Sequence, residues 1–193
     1  METFPQPSTS NSMSSLHVAL LRGINVGGHR KVGMAALKAL CLGLGYEDVQ
    51  TYLQSGNVVF RAANSSAVEL EAALERNLGF PVGVMVRDGG QWRRALADNP
   101  YAFQAAADGS KVHLALLSAE PDAEGLASLQ AVPTGPDCWT LLGRTLYLDL
   151  PNGAGRTRLD HATLERRLGV RVTVRNWKTV EALAALLRNG DAG

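Results

Sequence analysis

Two short runs concentrate the residues able to do chemistry. The first is Arg22-Gly23-Ile24-Asn25-Val26-Gly27-Gly28-His29-Arg30-Lys31, and the second is Arg175-Asn176-Trp177-Lys178-Thr179. In the first, the apolar run Ala19-Leu20-Leu21 stops at Arg22, and a helical pattern starts at Met34. A glycine loop between a strand and a helix brings backbone N–H groups close to an anion, and the helix N-terminus favours negative charge. No acid stands between Leu16 and Met34. Arg22, Asn25, Gly27, Gly28 and Lys31 are therefore candidate ligands for a phosphate or another oxyanion. The loop is not a P-loop, because Gly28 is followed by His29-Arg30 where Lys and Ser/Thr belong, and it contains no G-x-G-x-x-G. A purely conformational reading competes with the cradle: the glycines supply positive-φ turns and the charges face water.

The second run also closes a strand and opens a helix. Asn176 or Thr179 can serve as the helix N-cap. Arg175 and Lys178 add positive charge to a helix end that is already positive, which disfavours the helix alone and is easier to understand if an anion sits there. The structural alternative has Trp177 as a packing anchor and Arg175 paired with a nearby carboxylate. Ser55 and Asn57, in the tight turn Gln54-Ser55-Gly56-Asn57, reach the same pocket if the hairpin folds over the sheet edge. Of the four histidines, only His29 lies in a candidate pocket. His17 and His113 sit at strand starts, and His161 lies in the first turn of a helix. No Ser–His–Asp set, carboxylate pair or metal cluster can be assembled, so no cofactor is expected. Cys41, between Leu40 and Leu42, reads as core.

The element pattern must bring these runs together. Leu16–Arg22 is a strand, Met34–Leu44 an amphipathic helix closed by Gly45, and Val49–Leu53 with Val58–Arg61 a hairpin. Ser66 and Glu69 predict a capping box for a helix to Leu78, closed by Gly79. Val82–Arg87 is the next strand, and Asp88 with Gln91 caps a short helix ending at Asn99-Pro100. The second half follows the same series: a strand at Val112–Ser118, a helix opened by Asp122, and a hairpin of Trp139–Leu142 and Thr145–Leu150. A helix capped by Thr157 with Asp160 then runs to Gly169, followed by a strand at Arg171–Arg175 and a last helix at Val180–Leu187. His17-Val18-Ala19-Leu20-Leu21 is echoed by His113-Leu114-Ala115-Leu116-Leu117, and Val84-Met85-Val86-Arg87 by Val172-Thr173-Val174-Arg175. The expected fold is α+β, with two ferredoxin-like βαββαβ halves (16–105 and 111–190) related by internal duplication. Residues 1–15, Ser/Pro-rich and poor in apolar groups, are expected to be disordered, with Met13 as an alternative start.

Charge is uneven. The net charge is only +1, so no global field announces nucleic acid. Yet Pro151–Val180 carries seven Arg/Lys against Asp160 and Glu165, a net +5, while Ala119–Leu150 has five acids against Arg144, a net −4. Such a basic stretch can steer a phosphate-rich partner, unless its arginines simply line solvated helix faces. Cys41 and Cys138 are in no metal or redox spacing and read as buried thiols of a reduced cytoplasm. No apolar run approaches the ~20 residues that span a bilayer.

The run Leu20–Phe60, LLRGINVGGHRKVGMAALKALCLGLGYEDVQTYLQSGNVVF, resembles the signature of the bacterial domain-of-unknown-function family 1697. Pro81-Val82 to Arg87 resembles that family's next strand, and Asn99-Pro100 its following helix stop. Thr173–Val180 resembles its T-x-R-N-W-x-T-V motif, so the likeness extends over nearly everything after residue 15. Thr157 stands where the family often has Ser, which keeps the hydroxyl. The resemblance implies a fold and no established activity. The expectation is a cytoplasmic protein binding an anionic partner, nucleic acid or a phosphate-bearing small molecule, through the Arg22–Lys31 and Arg175–Thr179 loops. Two alternatives stay open: an enzyme acting on a phosphorylated small molecule, and a structural protein-interaction module.

Overall fold

The computed structural model describes residues 14–25 and 30–191. The expected disorder of the leader lies outside the described residues except at its end, where Ser15 pairs with Ala62 and already belongs to a strand. The elements run β1 (Ser15–Leu21), α1 (Met34–Gly43), β2 (Glu47–Tyr52), β3 (Asn57–Ala62), α2 (Ala67–Leu78), β4 (Val84–Asp88), α3 (Gly89–Ala97) and α4 (Ala102–Ala107). They continue with β5 (Val112–Leu117), α5 (Ala123–Gln130), β6 (Cys138–Leu142), β7 (Thr145–Asp149), a 3₁₀ turn at Ala154–Arg156, α6 (His161–Leu168), β8 (Val172–Asn176) and α7 (Trp177–Asp191). The protein is thus mixed α+β, with two four-stranded antiparallel sheets of order β2-β3-β1-β4 and β6-β7-β5-β8 and, among the described residues, seven α-helices.

Both sheets are covered on both faces, so their central strands β1 and β5 read as apolar runs interrupted only by His17 and His113. In β1, Leu16, Val18 and Leu20 point to an inner cluster, while Ala19 and Leu21 face an outer one with α1 and α2. In β5, Val112, Leu114 and Leu116 join the same inner cluster, and Ala115 and Leu117 face an outer one with α5 and α6. The inner core therefore joins the two sheets and includes Trp92 and Ala95 of α3 and Trp177, Val180 and Leu183 of α7. Close helix packing requires Gly125, where an added Cβ would stand 2.8 Å from the Leu168 carbonyl oxygen.

Several local expectations change. Ser66 is the N-cap of α2 but makes no side-chain cap bond, so the Ser66/Glu69 box does not form, whereas the Asp88/Gln91 box does. Helix α6 is capped by Asp160, whose carboxylate accepts from the Thr163 N–H. Thr157 instead donates to Asp137 and accepts from the Leu159 N–H. Helix α7 starts three residues earlier than Val180, because Asn176 accepts from the Thr179 N–H and caps it. Cys41 is buried, but Cys138 is exposed at the start of an edge strand, against the expectation of two buried thiols.

Candidate functional site

The two chemistry-bearing runs meet. Arg175, near the end of β8, reaches from the second sheet to the end of β1 and the β2–β3 turn. Its Nη2 donates to the carbonyls of Leu21 (2.8 Å), Ser55 (2.9 Å) and Gly56 (3.3 Å), its Nη1 to that of Val174 (2.8 Å), and its Nε to Asn57 Oδ1 (2.5 Å). Every acceptor is neutral, and burial pushes the guanidinium pKa down to about 10. Asn57 is fully buried, and its Nδ2 donates to the Tyr52 carbonyl (2.6 Å) and Ser55 Oγ (3.0 Å). The turn can come this close because residue 56 is glycine, with φ +80° and no room for a Cβ, which would meet Ile24 Cδ1 at 2.6 Å.

Asn25 holds the loop after β1. It adopts φ 56°, its Nδ2 donates to the Val32 (3.0 Å) and Gln54 (2.7 Å) carbonyls, and its Oδ1 accepts from the Val32 N–H (2.8 Å). Arg22 forms a two-pronged ion pair with Glu165 of α6, its Nε 2.8 Å from Oε1 and its Nη2 on Oε2. Glu165 also accepts from the Val172 N–H (2.8 Å). Burial raises the Glu165 pKa, but the Arg22 and Val172 hydrogen bonds outweigh it and leave it below the usual carboxylate range. A second cross-half pair joins Arg171 to Glu71 at 2.8 Å.

A cleft of about 590 Å³ opens over this junction, lined by Arg22, Gly23, Arg30, His161, Thr173 and Arg175, with Val174 beside them. Of the ten residues read as a site in the sequence, Arg22 and Arg175 line it. Asn25, Ser55 and Asn57 build the turn and loop behind it. Asn176 is the α7 cap, and exposed Lys178 stands 3.9 Å from Asp108. Lys31 is exposed, and Gly27 and Gly28, like His29, lie outside the described residues.

Besides Gly23 and Val174, sequence reasoning missed three lining residues with polar side chains. Arg30 is exposed, has φ 50°, and stands 5.9 Å over the Phe80 ring. The His161 ring Nε2 is 2.7 Å from the Val172 carbonyl oxygen. Thr173 is 1% exposed, and its hydroxyl has no hydrogen-bond partner. A buried hydroxyl left unpaired costs roughly 1–3 kcal/mol. The signal was legible: Thr173 breaks the echo of Val84-Met85-Val86-Arg87, standing where the first half has the buried Met85. Among the described residues no group of three or more His, Cys, Asp or Glu is placed to hold a metal, and no helix is long and apolar enough to cross a membrane.

A family model described as "Protein of unknown function (DUF1697)" matches residues 14–147, from just before β1 to within β7. The Thr173–Val180 motif lies beyond that span. No curated protein matches. Among solved structures, the conserved bacterial protein SP0830 from Streptococcus pneumoniae superposes with a TM-score of 0.73 at 23% identity, covering 90% of this chain and 99% of that one. That likeness shows the fold alone. Protein BT0572 from Bacteroides thetaiotaomicron, at 10% identity with 91% of this chain and 96% of its own covered, reaches a TM-score of 0.22 and carries no argument. Matched over well more than half its length, the chain belongs to the conserved family described as Protein of unknown function (DUF1697).

Proposed function

We propose that this protein binds a small anionic ligand, of the phosphate-bearing class, in the cleft between the end of β1 and β8. One observation carries the reading: three guanidinium groups line the cleft against a single neighbouring carboxylate, Glu165, which Arg22 already engages. The charges of Arg175 and Arg30 are left without a carboxylate among the described residues. In a partly desolvated cleft such charge favours an oxyanion. The unpartnered Thr173 hydroxyl adds a donor at the cleft wall.

A small ligand is favoured over nucleic acid because the basic stretch does not form one face. Arg171 pairs with Glu71, Arg175 turns inward, and Arg166 and Arg167 line a hollow with Glu120, Asp122 and Glu124. Binding is favoured over turnover because, among the described residues, no acid–base pair stands free in the cleft. The same reading takes the halves as duplicated ferredoxin-like units, supported by their matching strand orders. It takes the protein as cytoplasmic, supported by two free cysteines.

Calorimetry with phosphate, pyrophosphate, a mononucleotide and single-stranded RNA tests this at low and moderate salt. Arg30→Ala should weaken small-anion binding about tenfold, since a charge-assisted hydrogen bond contributes roughly 1.5–3 kcal/mol. Thr173→Val should weaken binding while raising the melting temperature of the ligand-free protein. Failure of all small anions to bind the wild-type protein at low salt overturns the proposal, and tight binding of RNA alone replaces it.

A further inference from the structure

The counterpart of Arg175 in the first half is Arg87. Arg87 pairs in register with Val18 of β1, and Arg175 with Leu114 of β5. Both reach across to the opposite half. Arg87 Nη2 donates to the carbonyls of Leu117 (3.2 Å) and Arg144 (3.4 Å), and Nη1 to that of Val86 (3.0 Å). These acceptors match Leu21, the Ser55-Gly56 turn and Val174 around Arg175.

The two arginines differ at Nε. In Arg175 it is taken by Asn57 Oδ1. In Arg87 it has no hydrogen bond among the described residues. The register explains why. Asn57 lies opposite Leu20 of β1 and Tyr52 of β2, and the residue in the same place, opposite Leu116 of β5 and Leu142 of β6, is Thr145. Threonine is shorter and has no amide oxygen to offer. A cavity of about 180 Å³ lies there, lined by Arg87, Arg94, Arg144, Thr145, Gln91 and Asp98 among others. Three arginines and one carboxylate, Asp98, thus line it. Neither Arg94 nor Arg144 has a carboxylate partner within ion-pair distance among the described residues. Asp88, whose Oδ1 accepts from the Gln91 N–H, lies near Arg87 as a second carboxylate, so the three arginines still exceed the acids by one charge.

We propose that this cavity binds a phosphate group, free or as a monoester, with the Arg87 Nε–H and the Arg94 and Arg144 guanidinium groups as donors. The phosphate oxygen stands in for the amide oxygen that Asn57 supplies in the other half. A dianion suits this excess of positive charge, and Arg94 and Arg144 can each give a charge-assisted, fork-like pair beside the single Arg87 Nε–H. The site is distinct from the Arg30–Arg175 cleft and does not rest on it.

Calorimetry and ³¹P line broadening with inorganic phosphate and with glycerol 3-phosphate, at low ionic strength, test the proposal. Arg144→Ala, at an exposed side chain, should weaken phosphate binding about tenfold or more. Thr145→Asn supplies the missing amide and should abolish binding at this cavity. Arg156→Ala, at an exposed arginine outside both cavities, should leave it unchanged, and in Arg30→Ala the component of phosphate binding that depends on Arg144 should persist. Binding of either probe with this pattern supports the site, and the tighter probe identifies the free or esterified form as the preferred one. Wild-type protein that binds neither probe, or binding lost in Arg30→Ala yet intact in Arg144→Ala, overturns it. Circular dichroism and melting curves confirm folding, and Arg144→Ala decides the matter if Thr145→Asn does not fold.

Discussion

Replacing Arg175 by methionine should separate the two halves energetically. The side chain makes five hydrogen bonds, four of them to the first half, at Asn57, Leu21, Ser55 and Gly56. The acceptors fare differently once it is gone. The Gly56 carbonyl still accepts from the Leu21 N–H at 2.8 Å, and Ser55 is exposed and can turn to water. Asn57 Oδ1 is fully buried and loses its partner. Hydrogen bonds to charged groups contribute roughly 1.5–3 kcal/mol each, and the relief of burying a charge offsets part of the loss. A net destabilisation of about 2–4 kcal/mol follows, chiefly from stranding the buried Asn57 Oδ1, since every acceptor is neutral and no charge is left unpaired. Arg87→Met removes only three carbonyl contacts, one as long as 3.4 Å, and should cost about 1–2 kcal/mol. Urea unfolding of both variants, with slopes compared to confirm a common transition, measures the difference. Equal losses at the two positions, or a loss under about 1 kcal/mol at Arg175, would refute the reasoning.

Three further outcomes follow from particular groups. His17 and His113 each meet the carbonyl two residues back and are held by burial below the ordinary value of 6.5. Because the folded pKa is lowered, their stability is present above pH 6.5 and is lost as pH falls through it, so unfolding midpoints should drop between pH 7.5 and 5; His17→Gln/His113→Gln should flatten that slope. Thiol titration of the native protein should modify exposed Cys138 quickly and buried Cys41, its pKa pushed up to about 11, only on unfolding; two fast thiols would contradict the packing. Gly56→Ala should lower the melting temperature by several degrees, since φ +80° and the 2.6 Å contact with Ile24 both oppose a Cβ, and an unchanged melt would contradict the turn geometry.

The sheets were legible because their signals are local. Strands buried on both faces leave apolar runs such as Val112–Leu117, and Gly79 and Gly169 end their helices in the left-handed region. Helix α4 was not legible: Ala-Phe-Gln-Ala-Ala-Ala is short, alanine-rich and without a side-chain cap. The start of α7 was half legible: the sequence offers Asn176 or Thr179 as its cap, and the bond from the Thr179 N–H to Asn176 decides between them. At the site, residue types pointed to Arg22, Arg175, Ser55 and Asn57, but not to which residue meets which. Arg22 meets Glu165 143 residues away, and Arg175 meets Asn57 118 residues away. No spacing rule spans such separations. The one local clue, Thr173 in place of an apolar residue, needed the comparison of the two halves to acquire meaning.

The most direct test of anion binding follows the arginine Nε–H resonances of ¹⁵N-labelled protein during a pyrophosphate titration at low salt. The cleft reading predicts saturable shifts at Arg30, Arg22 and Arg175, with Arg156 and Arg158, exposed elsewhere, left in place. Raising the salt should weaken the response, as screening of a partly exposed site requires. Shifts that never saturate, or that are equal at Arg156, Arg158 and the cleft arginines, would contradict it.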